Sequence, residues 1–206
     1  MVSKVMKKLI SAVAVLSSLL ILTACDAGVA AQVGDTKIAQ STVQSKVAEI
    51  LTERRKFDTS QMQVNVGEEL NRSELRFLLI SMIFEKIADD NGIKITQAMK
   101  DARKAEVYGN IGGIDNLSQA LVGAQMPPSD FDIYIKTLLI SDALIDKAKR
   151  AGVDEKNTGA AIQSLVKALT AKQGIKINPQ YGTWDPSNAD IVTFDAAGTA
   201  VKTLTA

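Results

Sequence analysis

The sequence predicts an all-α fold of about six helices, entered through a short extended turn and left through an extended C-terminal tail. Three observations predict it. Aromatic residues make up only 4% of a 206-residue chain that is 46% hydrophobic, so the core has to be built from Leu, Ile, Val and Ala, and Leu and Ala favour helices. Apolar residues recur at three- and four-residue spacing in segment after segment. Most of those segments also stop at a glycine, the residue that adopts the left-handed helix C-cap at least cost.

Taken in order, Val33-Gly34-Asp35-Thr36-Lys37-Ile38 reads as a tight turn with Gly34 and Asp35 at its corner. Ser41-Thr42-Val43-Gln44 has the spacing of a capping box. Behind it Val43, Val47, Ile50 and Leu51 repeat at helical spacing to about Arg55. Phe57 to Gly67 shows no period and is read as a polar connector. Asn71-Arg72-Ser73-Glu74 repeats the capping logic and opens the most apolar helix, which ends near Asp90. Leu75, Leu78, Leu79 and Met82 lie on one face of it, and Phe77, Ile80 and Phe84 cover another. A helix apolar on several sides is a central one.

Asn91-Gly92 stops that helix, and Thr96 caps a polar one to about Tyr108, stopped by Gly109. A short helix follows from Asp115 to about Ala124. Pro127-Pro128 breaks the chain, and Ser129 with Asp132 opens a long helix whose stripe is Phe131, Tyr134, Leu138, Ile145 and Ala148. Asp154 caps the last helix, where Ile162, Leu165, Val166 and Leu169 share a face before Gly174. Beyond it Ile175-Lys176-Ile177 alternates, Asn178 to Pro186 is extended and carries the single Trp, and Ile191 to Phe194 has the composition of a short strand. The end of the chain, small and Thr-rich, is expected to be flexible.

The first residues differ from the rest. Lys4, Lys7 and Lys8 precede an apolar run from Leu9 to about Ala24, about 16 residues against the ~20 needed to span a bilayer. That layout is a secretory signal peptide's. Leu22-Thr23-Ala24-Cys25 resembles the bacterial lipobox, and the resemblance implies cleavage before Cys25 and acylation of its sulfur. Two or three acyl chains, at ~0.8 kcal/mol per buried methylene, anchor a protein where one does not. The organisation expected is therefore a signal peptide over 1–24, a tether over 25–32, a helical domain over 33–190 and a tail over 191–206.

Without its leader the chain carries 21 bases against 23 acids, a net of −2, no electrostatic footprint for nucleic acid. It contains no histidine and one cysteine, which removes Ser-His-Asp and Cys-His catalysis, internal disulfides and nearly every transition-metal site. Neighbouring acids at Glu68-Glu69, Asp89-Asp90 and Asp154-Glu155 point about 100° apart on a helix and do not converge on one atom. The glycines of "YGNIGGIDN" lack a phosphate-binding lysine and read as a turn. No catalytic residue, metal or cofactor is expected, and the chain is not expected to be an enzyme.

The order of these pieces is similar to the helical N-terminal domain of the SurA family of extracytoplasmic chaperones and of PrsA-like foldase lipoproteins. The similarity runs from about Ala31 to Asp190 and is carried by "VGDTKI", by "ADDNGIKIT", by "SDFDIYIKTLLISDALIDKAK" and by "IKINPQYGTWDP". Foldase relatives insert a prolyl isomerase domain between the long helix and the final one. Here Ala148 to Thr158 leaves no room for it. The resemblance implies binding of unfolded or exported polypeptides without isomerase activity, at the extracytoplasmic face of a bacterial membrane.

Such binding requires that the apolar stripes outnumber what one bundle can hide, leaving a cleft. Tyr181, Trp184 and Met126 are the candidate contacts. The alternative for the two rings is that the tail folds back and Trp184 plugs the seam of the bundle. The alternative for Met126, as for Met62, Met82 and Met99, is ordinary packing. The alternative is a second functional class, a lipoprotein docking one dedicated envelope partner, which the composition also allows.

Overall fold

Residues 28–193 are described by the computed structural model; the signal segment, Cys25 and the residues after 193 lie outside them. The first described segment is a strand. Gly28 leads into β1 (Val29–Val33), which turns at Gly34 and pairs antiparallel with β2 (Thr36–Ala39). Ala30, Ala31 and Val33 are buried, so the stretch expected to be a tether is, from Val29 on, the middle strand of a sheet. On its other side β1 pairs with β3 (Ile175–Ile177), giving the order β2-β1-β3. A second hairpin joins β4 (Thr183–Asp185) to β5 (Asp190–Val192). The fold is mostly helical but not all-α: two small sheets complete it.

Six helices lie among the described residues: α1 (Gln40–Arg54), α2 (Gly67–Asp90), α3 (Gln97–Asn110), α4 (Leu117–Gly123), α5 (Phe131–Arg150) and α6 (Thr158–Gln173). Short 3-10 turns precede α4, α5 and α6. Thr96 caps α3 by accepting from the Met99 amide. The capping boxes read at Ser41 and Asn71 do not form. Helix α1 starts at Gln40 because its amide is already taken by the Gly28 carbonyl at 2.7 Å, so no side-chain cap is needed. Helix α2 starts at Gly67, where Glu68 and Glu69 set negative charge on its first turn.

Helix α2 is central, as its sequence implies: Leu70, Leu75, Leu79, Ile83 and Ile87 are buried, and Leu78, Ile80, Met82 and Phe84 pack half-buried around them. The main core gathers α1, α2, the C-terminal half of α5, α6 and the three-stranded sheet. A second, smaller core forms from Leu121, Phe131, Ile135 and Leu139. The deep face of α5 is Phe131, Ile135, Leu139, Ile140 and Leu144, displaced from the stripe read in the sequence. The helix meets α2, α3 and α6, so apolar residues occur on more than one side. The tail is also part of the fold: Ile191 is buried and Asp190 pairs with Asp185, which moves the domain's end past residue 190.

Most apolar stripes are sealed. The large apolar side chains left exposed among the described residues are Leu51, Val66, Met99, Ile114, Leu165 and Val192. No described helix is long and apolar enough to cross a membrane.

Candidate functional site

The buried face of α1 runs Val43, Val47, Ile50 and then Arg54, so helical spacing carries a guanidinium to where an apolar side chain would sit. Its Nη1 donates to the Asn65 carbonyl at 2.6 Å and its Nη2 to the Gln125 side-chain oxygen at 2.9 Å. The same Gln125 oxygen accepts the Asn65 amide at 2.6 Å. Gln125 holds a φ of 57°, a left-handed conformation uncommon for a residue with a side chain, and this ends α4 with the amide group turned toward Arg54. Burial lowers the pKa of Arg54 from its ordinary value. The effect is to pin the connector between α1 and α2 across the end of α1.

That pinned connector forms one wall of an open groove of about 620 Å³, lined by Leu51, Arg54, Arg55, Phe57, Asp58, Thr59 and Ser60. Leu51 is 41% exposed. Asp58 holds the bend by accepting the Ser60 amide at 2.9 Å. The groove offers two apolar side chains, a mixed-charge rim and bent backbone, a combination suited to holding a ligand.

One to two turns earlier on α1 lies a buried ionic cluster. Lys46 makes an ion pair with Asp130, which is fully buried, and donates to the Ser129 hydroxyl at 2.6 Å. Glu49 accepts both the Ser129 amide at 2.9 Å and its hydroxyl. From α2, Glu74 points at Asp130 and is only 4% exposed. Burial first, then the hydrogen bond with Asp130 and its negative charge, push the Glu74 pKa up to about 9. Glu74 Oε1 has no hydrogen-bond partner among the described residues, so a proton kept on Glu74 spares the burial of a second negative charge beside Asp130. The Glu74 and Asp130 side chains are almost wholly buried. The cluster fastens the turn before α5 to α1 and α2.

Of the residues singled out by sequence, Tyr181 is buried, and its carbonyl accepts from Arg72 Nε at 3.0 Å. A ring in the core is not a surface anchor, which corrects that candidate. Trp184 is half-buried against the main core and Met126 against the second one; the tail does fold back, with Tyr181 rather than Trp184 the deeper plug. The structure brings none of the three to the groove, and Cys25 lies outside the described residues. Glu68-Glu69, Asp89-Asp90 and Asp154-Glu155 are exposed, and no acidic cluster with metal-holding geometry occurs among the described residues.

Sequence reasoning reads Arg54, with Glu49 and Glu53, as part of an exposed charged face and Glu74 as the end of a capping box, and passes over Asp130; all three are buried. For the first two a signal existed: Arg54 follows Val43, Val47 and Ile50 on their stripe, and Glu74 follows Leu70 by one turn. Nothing comparable marks Asp130, whose burial depends on the break at Pro127-Pro128. Compared with models of protein families, with curated proteins and with solved structures, the chain finds no match.

Proposed function

We propose that the protein is a lipid-anchored lipoprotein of the bacterial cell envelope that binds unfolded or exported polypeptide segments at the extracytoplasmic face, without prolyl isomerase activity. The observation that carries this reading is the groove over the end of α1. Its volume matches a few residues of extended chain. Leu51 and Phe57 supply apolar contact without a deep specificity pocket, and Arg55, Asp58 and Ser60 give a polar rim that tolerates different sequences. The lipobox-like residues ending in Cys25 and the SurA-like order of elements support the location and the class of ligand.

The chain lacking residues 1–24 should slow aggregation of several unrelated unfolded proteins, with micromolar or weaker contact. Leu51→Glu should weaken that protection, because each apolar contact of a leucine's size contributes about 1–2 kcal/mol when buried. The residue is exposed, so the variant keeps its helical signal. Light scattering of the clients and circular dichroism of the variant are the measurements. Protection of no client, together with tight capture of one envelope protein, would replace this reading with dedicated docking.

A further inference from the structure

Gly28 is the point at which the described chain joins the fold, and its carbonyl holds the Gln40 amide at 2.7 Å. The first residue of α1 therefore lies against it. Asn178 closes the same corner, donating its amide to the Ala30 carbonyl at 2.9 Å and its side-chain Nδ2 to the Val29 carbonyl at 3.1 Å. The exposed residues here include Gly28, Ser41, Thr42, Gln44, Pro179 and Gln180. No Lys, Arg, Asp or Glu occurs from Ala39 to Ser45 or from Ile177 to Trp184. Charge reaches only the corner's edge: Glu68 lies in a small pocket with Gln44, Asn71, Gln180 and Tyr181, and Arg72, paired with Glu69, donates to the Tyr181 carbonyl at 3.0 Å.

Along α1 the character then reverses. Lys46, Glu49, Glu53 and Arg54 lie from its middle to its end, and Arg55 and Lys56 follow directly after it. At 1.5 Å per residue, Leu51 stands about 16 Å and Arg55 about 22 Å up the axis from Gln40. The covalent chain from Cys25 to Gly28 spans at most about 11 Å.

We infer that the uncharged corner made by Gly28, the first turn of α1 and Pro179–Gln180 lies against the lipid headgroups, and that α1 holds the groove away from the membrane in the aqueous compartment. This rests on the lipid-anchor reading of Cys25. Uncharged polar groups exchange water for headgroup hydrogen bonds at small cost, whereas bringing the carboxylates and cations of the far half against the interface would strip hydration from charges. The short link keeps the corner near the surface, and the charge distribution decides which end of the helix is down.

The test uses the full lipidated chain on phosphatidylcholine vesicles containing a nitroxide-headgroup lipid. With the Cys25 sulfur in its thioether, an introduced thiol is the single labelling site, so Gln180→Cys and Ser60→Cys each carry one fluorophore. The label at 180 should be quenched several-fold more than the label at 60. Equal or reversed quenching on vesicles that carry the protein through flotation would overturn the orientation while leaving the anchor standing. Failure to float would overturn the anchor, and the orientation with it. A long Gly-Ser insertion between Asp26 and Ala27 should preserve flotation and level the two signals; an unchanged difference would show that the short link does not hold the corner down, and would also overturn the inference.

Discussion

Glu74 lies one turn after Leu70 and next to Leu75 on α2, so the helix carries its carboxyl into the seam where Asp130 is already buried. Its pKa rises from 4.5 to about 9, which means the folded chain holds this proton more tightly than the unfolded chain does. The stabilisation is complete below pH 4.5 and is lost progressively as the pH rises toward about 9. Carboxyls held low by a partner, such as Glu53 by Lys56 and Asp132 by Lys104, act in the opposite sense and below that window. Denaturant midpoints should therefore fall between pH 5 and pH 9, and Glu74→Gln, which cannot ionise, should flatten the slope. An identical slope in the variant would place the proton elsewhere. Gly182 sets a different kind of limit. Its φ is 121° and a Cβ there would come within 2.1 Å of the Val192 carbonyl oxygen, so Gly182→Ala should cost about 1–3 kcal/mol. Unfolding followed at the single Trp, which lies on the same hairpin, measures it; an unchanged midpoint would put that hairpin outside the cooperative unit.

Among the six described helices, α3 is the one with the shallowest packing. It has no buried residue and meets α5 through the stacked rings of Tyr108 and Phe131, 6.0 Å apart, and through ion pairs of Lys100 and Lys104 with Asp132 and of Arg103 with Asp142. Exposed pairs of this kind contribute about 0–1 kcal/mol each and weaken with salt. Amides of α3 should exchange at least about 10-fold faster than those of α2, with the gap widening at high salt; equal protection in hydrogen exchange would show that α3 belongs to the main core. Helix existence was legible throughout, because periodicity is a local property, and so was the stop at Gly92, with its φ of 66°. Helix starts were less so. A side-chain cap competes with any backbone carbonyl that happens to be near, and the Gly28 carbonyl is brought to Gln40 by tertiary contact. The phase of α5 was hidden for a related reason: a helix with three neighbours has several apolar faces, and spacing alone does not rank them.

The described residues form two packed groups of unequal size, joined at Ile95, which touches both cores, and fastened by Lys46, Asp130 and Glu74 between α1, α2 and the turn before α5. The clamp spans residues far apart in the chain, which is why no short motif discloses it. The sheets escaped the all-α reading on the same ground. Their strands are three to five residues long, too short for alternation to stand out, and all six helices lie between β1 and β3 in the chain. That pairing has a mechanical side. Both ladders of β1 are antiparallel, one to β2 and one to β3, and run perpendicular to the strand. A tug on the chain ahead of Gly28 is thus directed lengthwise down a strand gripped from left and right. The rungs share that load and must shear together instead of unzipping singly, so the middle strand works as a shackle between the fold and whatever restrains its amino-terminal side.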